Sequence, residues 1–178
     1  MPNTLTQASV FLISAIFELY LSVLALRLIL AYTQANYFNP ITQMIVKLTQ
    51  PIVAPLRRVV PTYRRIEWAT LIWILIIETI KIFLLVALLE ATPALVTSLL
   101  FSVTETLKLI LNIFFYAILL QVILSWIQPG HSPVNQVLEQ ITSPIMRPLH
   151  RLIPPIGGFA ITPIQALVLL RFLIIAIP

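Results

Sequence analysis

Two stretches of the chain determine its organisation, because one is a copy of the other. Residues 40–61 read PITQMIVKLTQPIVAPLRRVVP, and residues 133–154 read PVNQVLEQITSPIMRPLHRLIP. They align without a gap at a shift of 93 residues, and nine of the 22 positions are identical: Pro40/Pro133, Gln43/Gln136, Thr49/Thr142, Pro51/Pro144, Ile52/Ile145, Pro55/Pro148, Leu56/Leu149, Arg58/Arg151 and Pro61/Pro154. The chain is therefore an internal duplication.

Each copy begins with a helix-start signal and continues as a one-sided helix. Asn39 and Ser132 each place a capping side chain before a proline at the first helical position. Apolar residues then recur at i, i+3, i+4 and i+7, and we expect Pro51 and Pro144 to end these helices and a short amphipathic piece to follow each. Such a helix–proline–helix element is too short and too charged to cross a bilayer. We therefore expect it to lie in the headgroup region with its apolar side towards the membrane.

The composition around these copies is that of a membrane protein. Of the 178 residues, 60% are hydrophobic and 10% are charged, against about 45–50% and about 25% in soluble domains. Four apolar stretches are each long enough to cross a hydrocarbon core about 30 Å thick: about 8–32, 67–89, 95–127 and 160–177. We predict an all-α membrane protein with four transmembrane helices, built as two parallel two-span repeats with boundaries 1–92 and 93–178.

Basic residues are concentrated in the two connections between the paired spans. Seven of the eleven lie there: Lys47, Arg57, Arg58, Arg64, Arg65, Arg147 and Arg151. Residues 1–7 and 90–94 contain neither Lys nor Arg. The positive-inside rule therefore predicts that both connections face the cytoplasm and that both termini lie outside. We expect this basic face to contact lipid, anionic headgroups above all, or to dock another protein. No nucleic-acid-reading module accompanies it, so we expect no nucleic-acid partner.

Residues that common enzymes and metal sites require are missing from the sequence. The chain has no aspartate, no cysteine and only three glycines, which excludes a Ser-His-Asp triad, thiolate metal ligands and a glycine-rich phosphate loop. The two histidines, His131 and His150, lie in connections and occupy non-equivalent repeat positions. We therefore expect no enzymatic activity and no metal or other cofactor.

Polar and ionisable residues within the predicted spans are the candidate functional residues, because such groups are costly in a membrane. They are Glu18, Glu78, Lys81, Glu105, Lys108, Asn112 and Arg171. Helical spacing at i, i+3 would allow Glu78 to pair with Lys81 and Glu105 with Lys108. Arg27, near the end of the first span, is expected to reach the headgroups with its long side chain.

The repeat offers a different set of pairings. At a shift of 93, Glu78 falls on Arg171, which predicts an ion pair between the second and fourth spans. At a shift of 94, Glu18 falls on Asn112, so we expect the first and third spans to face each other through polar sides. These groups either hold helices together or form the path of an ion or proton.

The repeated blocks resemble those of the YggT family, bacterial inner-membrane proteins with relatives in chloroplasts. The resemblance is carried by residues 39–61 and by SPVNQVLEQITSPIMRPLHRLIPPIGG at 132–158. In the family the connection continues into a Gly-Gly-hydrophobic-Asp element. Here the first copy has RRIE at 64–67, which keeps the acid but loses the glycines. The second copy has GGFA at 157–160, which keeps the glycines and places Ala160 where the acid would stand.

The resemblance implies an inner-membrane location and a small set of cellular roles. Family members are linked to osmotic tolerance, to division or envelope organisation, and in plastids to haem attachment to cytochrome b6. These roles imply a non-enzymatic membrane adaptor or assembly factor that works with another membrane protein or with further copies of itself. A small oligomeric ion channel or transporter is the alternative.

Overall fold

The structure is a computed structural model, and it describes residues 3–89, 92, 94–127, 132–152 and 162–177. These residues contain six α-helices. The helices are α1 (Thr4–Tyr32), α2 (Pro40–Arg57), α3 (Trp68–Leu88), α4 (Leu95–Ile127), α5 (Pro133–Leu152) and α6 (Thr162–Ala176). No strand occurs among these residues beyond one isolated bridge, between Tyr63 and Ile66. The prediction of an all-helical chain is confirmed.

Three helices are long and apolar enough to cross a membrane, namely α1, α3 and α4. Helix α6 is apolar but has 15 residues, a length of about 22 Å. Residues 153–161, which precede it, lie outside the described part of the chain. The fourth span, the two-repeat boundaries and the orientation in the membrane thus stay predictions.

The helix contacts within the first half recur within the second. Helix α1 packs on α3 as α4 packs on α6, and α2 rests on α1 and α3 as α5 rests on α4 and α6. Helices α2 and α5 also contact each other. However, α3 packs on α4, whereas no contact joins α6 to α1 within the described ranges. One flank of α1 therefore lacks the helix neighbour that the equivalent flank of α4 has.

The apolar faces of α2 and α5 are divided between residues buried against the chain's own helices and residues that stay exposed, namely Met44, Leu48 and Val134. Val53 of α2 packs with Leu24 of α1 and Ile74 of α3. Ile45 of α2 and Ile141 of α5 share a second cluster with the end of α1. Part of each face thus packs on the leucine and isoleucine surfaces of the bundle, and the placement of the exposed part towards lipid stays a prediction.

The expectation that proline ends these amphipathic helices is also wrong. Helix α2 continues through Pro51 and Pro55, and α5 continues through Pro144 and Pro148. A helical proline removes one donor and displaces a carbonyl group of the preceding turn. Pro51, Pro55 and Pro148 are exposed, on the side turned away from the bundle. The freed carbonyl groups there can be solvated, so the helices continue as single rods.

A tight turn leads from α2 into α3. Tyr63 and Ile66 exchange two backbone hydrogen bonds, with N···O distances of 3.2 and 3.0 Å. The two residues at its tip, Arg64 (φ 49°) and Arg65 (φ 70°), both have left-handed backbone conformations. Such a turn favours glycine or asparagine at both positions, and these are the positions where the sequence departs from the Gly-Gly element. The Arg64 guanidinium lies 5.5 Å from the centroid of the Tyr63 ring, a cation–π contact.

Replacing Arg65 by glycine is expected to stabilise the protein. Glycine adopts a positive φ without the steric cost of a Cβ atom, and the net gain should be about 0.5–1 kcal/mol. Thermal unfolding in detergent should show a rise of about 1–4 °C. Arg58→Gly is the control, because Arg58 has φ −69° and gains nothing from glycine. An equal effect of both substitutions would contradict the left-handed turn.

Candidate functional site

A buried arginine–glutamate pair joins α1 to the beginning of α3. Arg27 is 3% exposed and Glu67 is 4% exposed. Arg27 Nε donates to Glu67 Oε2 at 2.8 Å, and Arg27 Nη2 donates to Glu67 Oε1 at 2.9 Å. This two-pronged geometry is the strongest form of a side-chain ion pair.

Neighbouring side chains complete the hydrogen bonding of this pair. Arg27 Nη1 donates to Thr49 Oγ1 at 3.0 Å and to Gln50 Oε1 at 3.2 Å, both on α2. The Thr70 hydroxyl donates to Glu67 Oε2 at 2.7 Å. A buried pair is stable only when its charges and polar atoms are matched in this way. We call these five residues the Arg27 network.

The charge state of Glu67 reflects its surroundings. Burial alone would raise the pKa of the Glu67 carboxyl, but the hydrogen bonds from Arg27 and Thr70 and the charges of Arg27 and Arg57 outweigh it. The net pKa of Glu67 is lowered. Arg57 contributes from a distance of 3.6 Å, between its Nη1 and Glu67 Oε1. The folded protein therefore favours the ionised carboxylate.

The sequence prediction for Arg27 is wrong, since its side chain turns into the protein instead of reaching the headgroups. The signal that could have revealed its partner is the acid that the first copy keeps at position 67.

The second copy has a neutral version of the same contact, because Gln121 stands at the position equivalent to Arg27 at a shift of 94. There the Thr142 hydroxyl donates to Gln121 Oε1 at 2.8 Å. Ala160, which stands in place of the acid, lies outside the described residues.

A polar cavity of about 370 Å³ lies between α1, α3 and α4. Six of the seven predicted intramembrane residues line it: Glu18, Glu78, Lys81, Glu105, Lys108 and Asn112. Ser22 and Tyr116 complete its polar wall. Because Glu18 and Tyr116 are exposed, the cavity opens between α1 and α4. Glu18 and Asn112, which the repeat superimposes, thus line one space.

Two ion pairs within single helices occupy this cavity. Lys81 Nζ lies against Glu78 Oε1 in a buried pair on α3. Lys108 Nζ lies 3.1 Å from Glu105 Oε1 on α4, in a half-exposed pair. Glu18 adds a third carboxylate and forms no ion pair within the described chain. When all five groups are ionised, the cavity carries three negative and two positive charges.

The predicted ion pair between Glu78 and Arg171 is wrong. Glu78 pairs with Lys81, while Arg171 is exposed on α6. In the described ranges α3 and α6 make no contact, because α4 lies between them. The buried positions explain the error, since they match at a shift of 92: Thr70/Thr162, Ile74/Ala166 and Glu78/Leu170. The buried position of α6 is thus Leu170, and Arg171, the next residue, is exposed on another side of the helix.

The basic residues of the connections all lie on the surface of the protein. All seven side chains are exposed, and we call them the basic surface: Lys47, Arg57, Arg58, Arg64, Arg65, Arg147 and Arg151. Helices α2 and α5, which carry most of them, adjoin each other. His150 is exposed beside them, whereas His131 lies outside the described residues. In the described part of the chain, no group of three or more His, Cys, Asp or Glu could hold a metal ion.

The Arg27 network should be detectable as a strong energetic coupling. Arg27→Gln and Glu67→Ala should each lower the free energy of unfolding in detergent by about 3–5 kcal/mol, because each leaves a buried charge unpaired. The double variant carries the residues of the second copy at both positions. Its loss in free energy of unfolding should be much smaller than the sum of the two single losses. Lys108→Gln with Glu105→Gln is the matched control, and its half-exposed pair should show coupling below about 1 kcal/mol. Additive losses at Arg27 and Glu67 would contradict the network.

Comparison with known proteins places this architecture in a family. The CCB3/YggT family model matches residues 6–88 and 100–177, two segments that fit a duplicated chain. Uncharacterized protein YggT of Escherichia coli (strain K12) is 38% identical over 172 residues, which cover 97% of this chain and 87% of that protein. No solved structure matches the chain.

Relatives in other bacteria have similar lengths. A Vibrio alginolyticus protein, "Uncharacterized protein in proC 3'region", is 36% identical over 165 residues, which cover 91% of this chain and 89% of the relative. An uncharacterized protein of Haemophilus influenzae is 31% identical over 169 residues, with 95% and 90% covered. From the family model and these whole-length matches, we conclude that the chain belongs to the CCB3/YggT family.

Proposed function

We propose that this chain is a non-enzymatic membrane adaptor or assembly factor of the bacterial inner membrane, and that its basic surface binds anionic lipid headgroups and a partner membrane protein. The observation that carries the proposal is the exposure of all seven basic side chains. The helices beneath them bury part of their apolar faces inside the bundle. The basic side chains on the outer side are thus available for charge-based contacts. The envelope and osmotic roles implied by the resemblance agree with such an adaptor.

The orientation we propose follows from the same charges. The cytoplasmic leaflet carries a negative surface potential, and each nearby Lys or Arg is attracted to it by about 1 kcal/mol. This attraction favours α2 and α5 at the cytoplasmic face and both termini outside. Because the contacts are solvent-accessible, salt should weaken them strongly.

Lipid selectivity tests this proposal directly. Protein released from mixed phosphatidylglycerol and phosphatidylcholine membranes should retain phosphatidylglycerol preferentially when measured by native mass spectrometry, and less so at high salt. Neutralising Lys47, Arg58, Arg64 and Arg147 together to Gln should remove most of that preference. Arg171→Gln is the control, because Arg171 is exposed on α6 and lies outside the basic surface. Equal retention of both lipids by the unaltered protein would contradict the proposal.

A second candidate function, a small oligomeric ion channel or transporter, is favoured by the cavity. Charged groups inside a membrane bundle are costly, and here they gather around one space instead of being dispersed. Three carboxylates against two ammonium groups would favour a cation. One protomer has few helices with which to enclose a pore, so this function would require several copies.

Ion flux separates the two candidates. If the chain is an adaptor, proteoliposomes should show no cation flux above that of empty liposomes. If it conducts, flux should be lost in Glu18→Gln and in Glu78→Gln and kept in the control Glu139→Gln, because Glu139 is exposed on α5 outside the cavity. Reproducible flux with that pattern would contradict the proposal that the chain is only an adaptor.

A further inference from the structure

Two charged side chains of the apolar helices, Glu18 on α1 and Arg171 on α6, are exposed on the outer surface of the bundle. Neither forms an ion pair with any residue that the structure describes. The exposed side chains next to them are apolar, among them Leu19 and Phe172. A charge among lipid-facing apolar side chains is costly, and such groups almost always have a partner. The partner of each must therefore come from outside the described chain.

Glu18 cannot avoid this cost by reaching the membrane surface. It lies 14 residues from each end of α1, which is about 21 Å of helix in either direction. Arg171 lies five residues before the end of α6 and has a longer side chain, which could extend towards the headgroups. That extension would leave Glu18 unmatched, whereas a pairing of the two would match both.

The polar cavity beside Glu18 lacks one positive charge. Its three carboxylates face two ammonium groups, and it opens between α1 and α4, where Glu18 is exposed. One guanidinium at this opening would balance the charges, and it would donate hydrogen bonds in the two-pronged geometry that carboxylates favour. Among the described residues of α1, α3, α4 and α6, Arg171 is the basic residue that has no acidic partner.

The flank of α1 that carries Glu18 also lacks a neighbouring helix. In α4, Leu109 and Ile113 are partly buried against the cluster that includes Ile74 of α3. At a shift of 94, the equivalent residues of α1 are Ala15 and Leu19, and both are exposed. Helix α6, the counterpart of α3, makes no contact with α1 within the described ranges. The contact between α3 and α4 therefore has no counterpart inside one chain.

Glu18 and Arg171 lie at similar levels of the bundle. Leu170, the residue before Arg171, belongs to the cluster of Ile118 on α4. Glu18 lines the polar cavity together with Tyr116, two residues before Ile118 on the same helix. A rotation about the membrane normal does not change the level of a residue. Two copies related in this way would therefore bring the two charges to similar depths in the membrane.

We propose that two copies of this chain associate in the membrane, with α6 of each packed on the open flank of α1 of the other and Arg171 paired with Glu18 of the partner subunit. A two-fold interface is self-complementary, so it forms this contact twice. The occupant is a second copy because the two unmatched charges are opposite in sign and belong to one chain. The interface uses no residue of the basic surface, so the inference is independent of the lipid binding proposed above.

Charge reversal tests the pairing in a lipid bilayer. Donor-labelled and acceptor-labelled copies of the unaltered protein, reconstituted together in liposomes, should show energy transfer. Glu18→Arg and Arg171→Glu should each raise the dissociation constant for self-association at least about tenfold, because each places like charges opposite each other. A mixture of the two variants should regain association, since each then supplies the charge that the other lacks. Glu139→Arg, at an exposed position of α5, is the control and should associate normally.

Disulfide formation tests the geometry while both charges are kept, because the chain has no cysteine of its own. Ala15 lies one turn before Glu18, and Ile175 lies one turn after Arg171, so they meet if the two helices run in opposite directions. Mild oxidation should therefore link Ala15→Cys in one population to Ile175→Cys in another. Ile164→Cys is the matched control, because Ile164 is also exposed on α6 but lies 11 residues from Ile175, about 16 Å along the helix.

Each of the other outcomes would overturn the inference. Absence of energy transfer in the unaltered protein would show a monomer, and association that both charge reversals leave unchanged would show a different interface. Failure of the mixed variants to regain association, or lowered melting temperatures of both single variants in detergent, would show that the charges act within one chain. Equal linking at Ile164 and Ile175 would show random collision. In all these cases a retained preference for phosphatidylglycerol would leave the proposed function standing, and loss of that preference alone would leave the dimer standing.

Discussion

The burial of one permanent positive charge constrains the first half of this protein. A guanidinium group cannot lose its proton in a protein, so Arg27 must be matched wherever it lies. Its partners come from α2 and from the residue before α3, and together they fix three elements against one another. The turn at 63–66, with two left-handed residues at its tip, delivers Glu67 to this position. Strain in the turn is thus tolerated where a strong ion pair holds the chain beyond it.

The second half of the chain forms the contact equivalent to that of Arg27 and Thr49 without a charged residue. Gln121 and Thr142 form the equivalent contact with a neutral hydrogen bond. Because the ion pair is present in one copy and absent from the other, the two copies differ in chemistry while they share helix contacts. The first copy contributes the Arg27 network and three of the five charged residues of the intramembrane cavity, Glu18, Glu78 and Lys81, while Glu105 and Lys108 come from α4.

Much of the fold was accessible to sequence reasoning because its signals are local. Apolar length located the four apolar helices, helical periodicity located the beginnings of the two amphipathic ones, and membrane cost singled out the residues that line the polar cavity. The pair between Arg27 and Glu67 was missed, because 40 residues separate the partners and no periodicity relates them; the acid kept at position 67 was the one signal for it. The supposed pair between Glu78 and Arg171 failed because a one-residue change in repeat register moves a helical side chain by about 100°. Proline failed as a stop signal because its helical cost depends on which face it occupies.

Dependence of stability on pH tests the Arg27 network most directly. The pKa of Glu67 is lowered in the folded protein, so its contribution to stability should be complete above its ordinary value of about 4.5 and lost as the pH falls through the lowered one. The measurement is the free energy of unfolding in detergent, from neutral pH to pH 3, for the unaltered protein and for Glu67→Gln. We expect the difference between them to be large at neutral pH and to shrink progressively as the pH falls below about 4.5. A difference that stays constant with pH, or that grows in acid, would contradict the network.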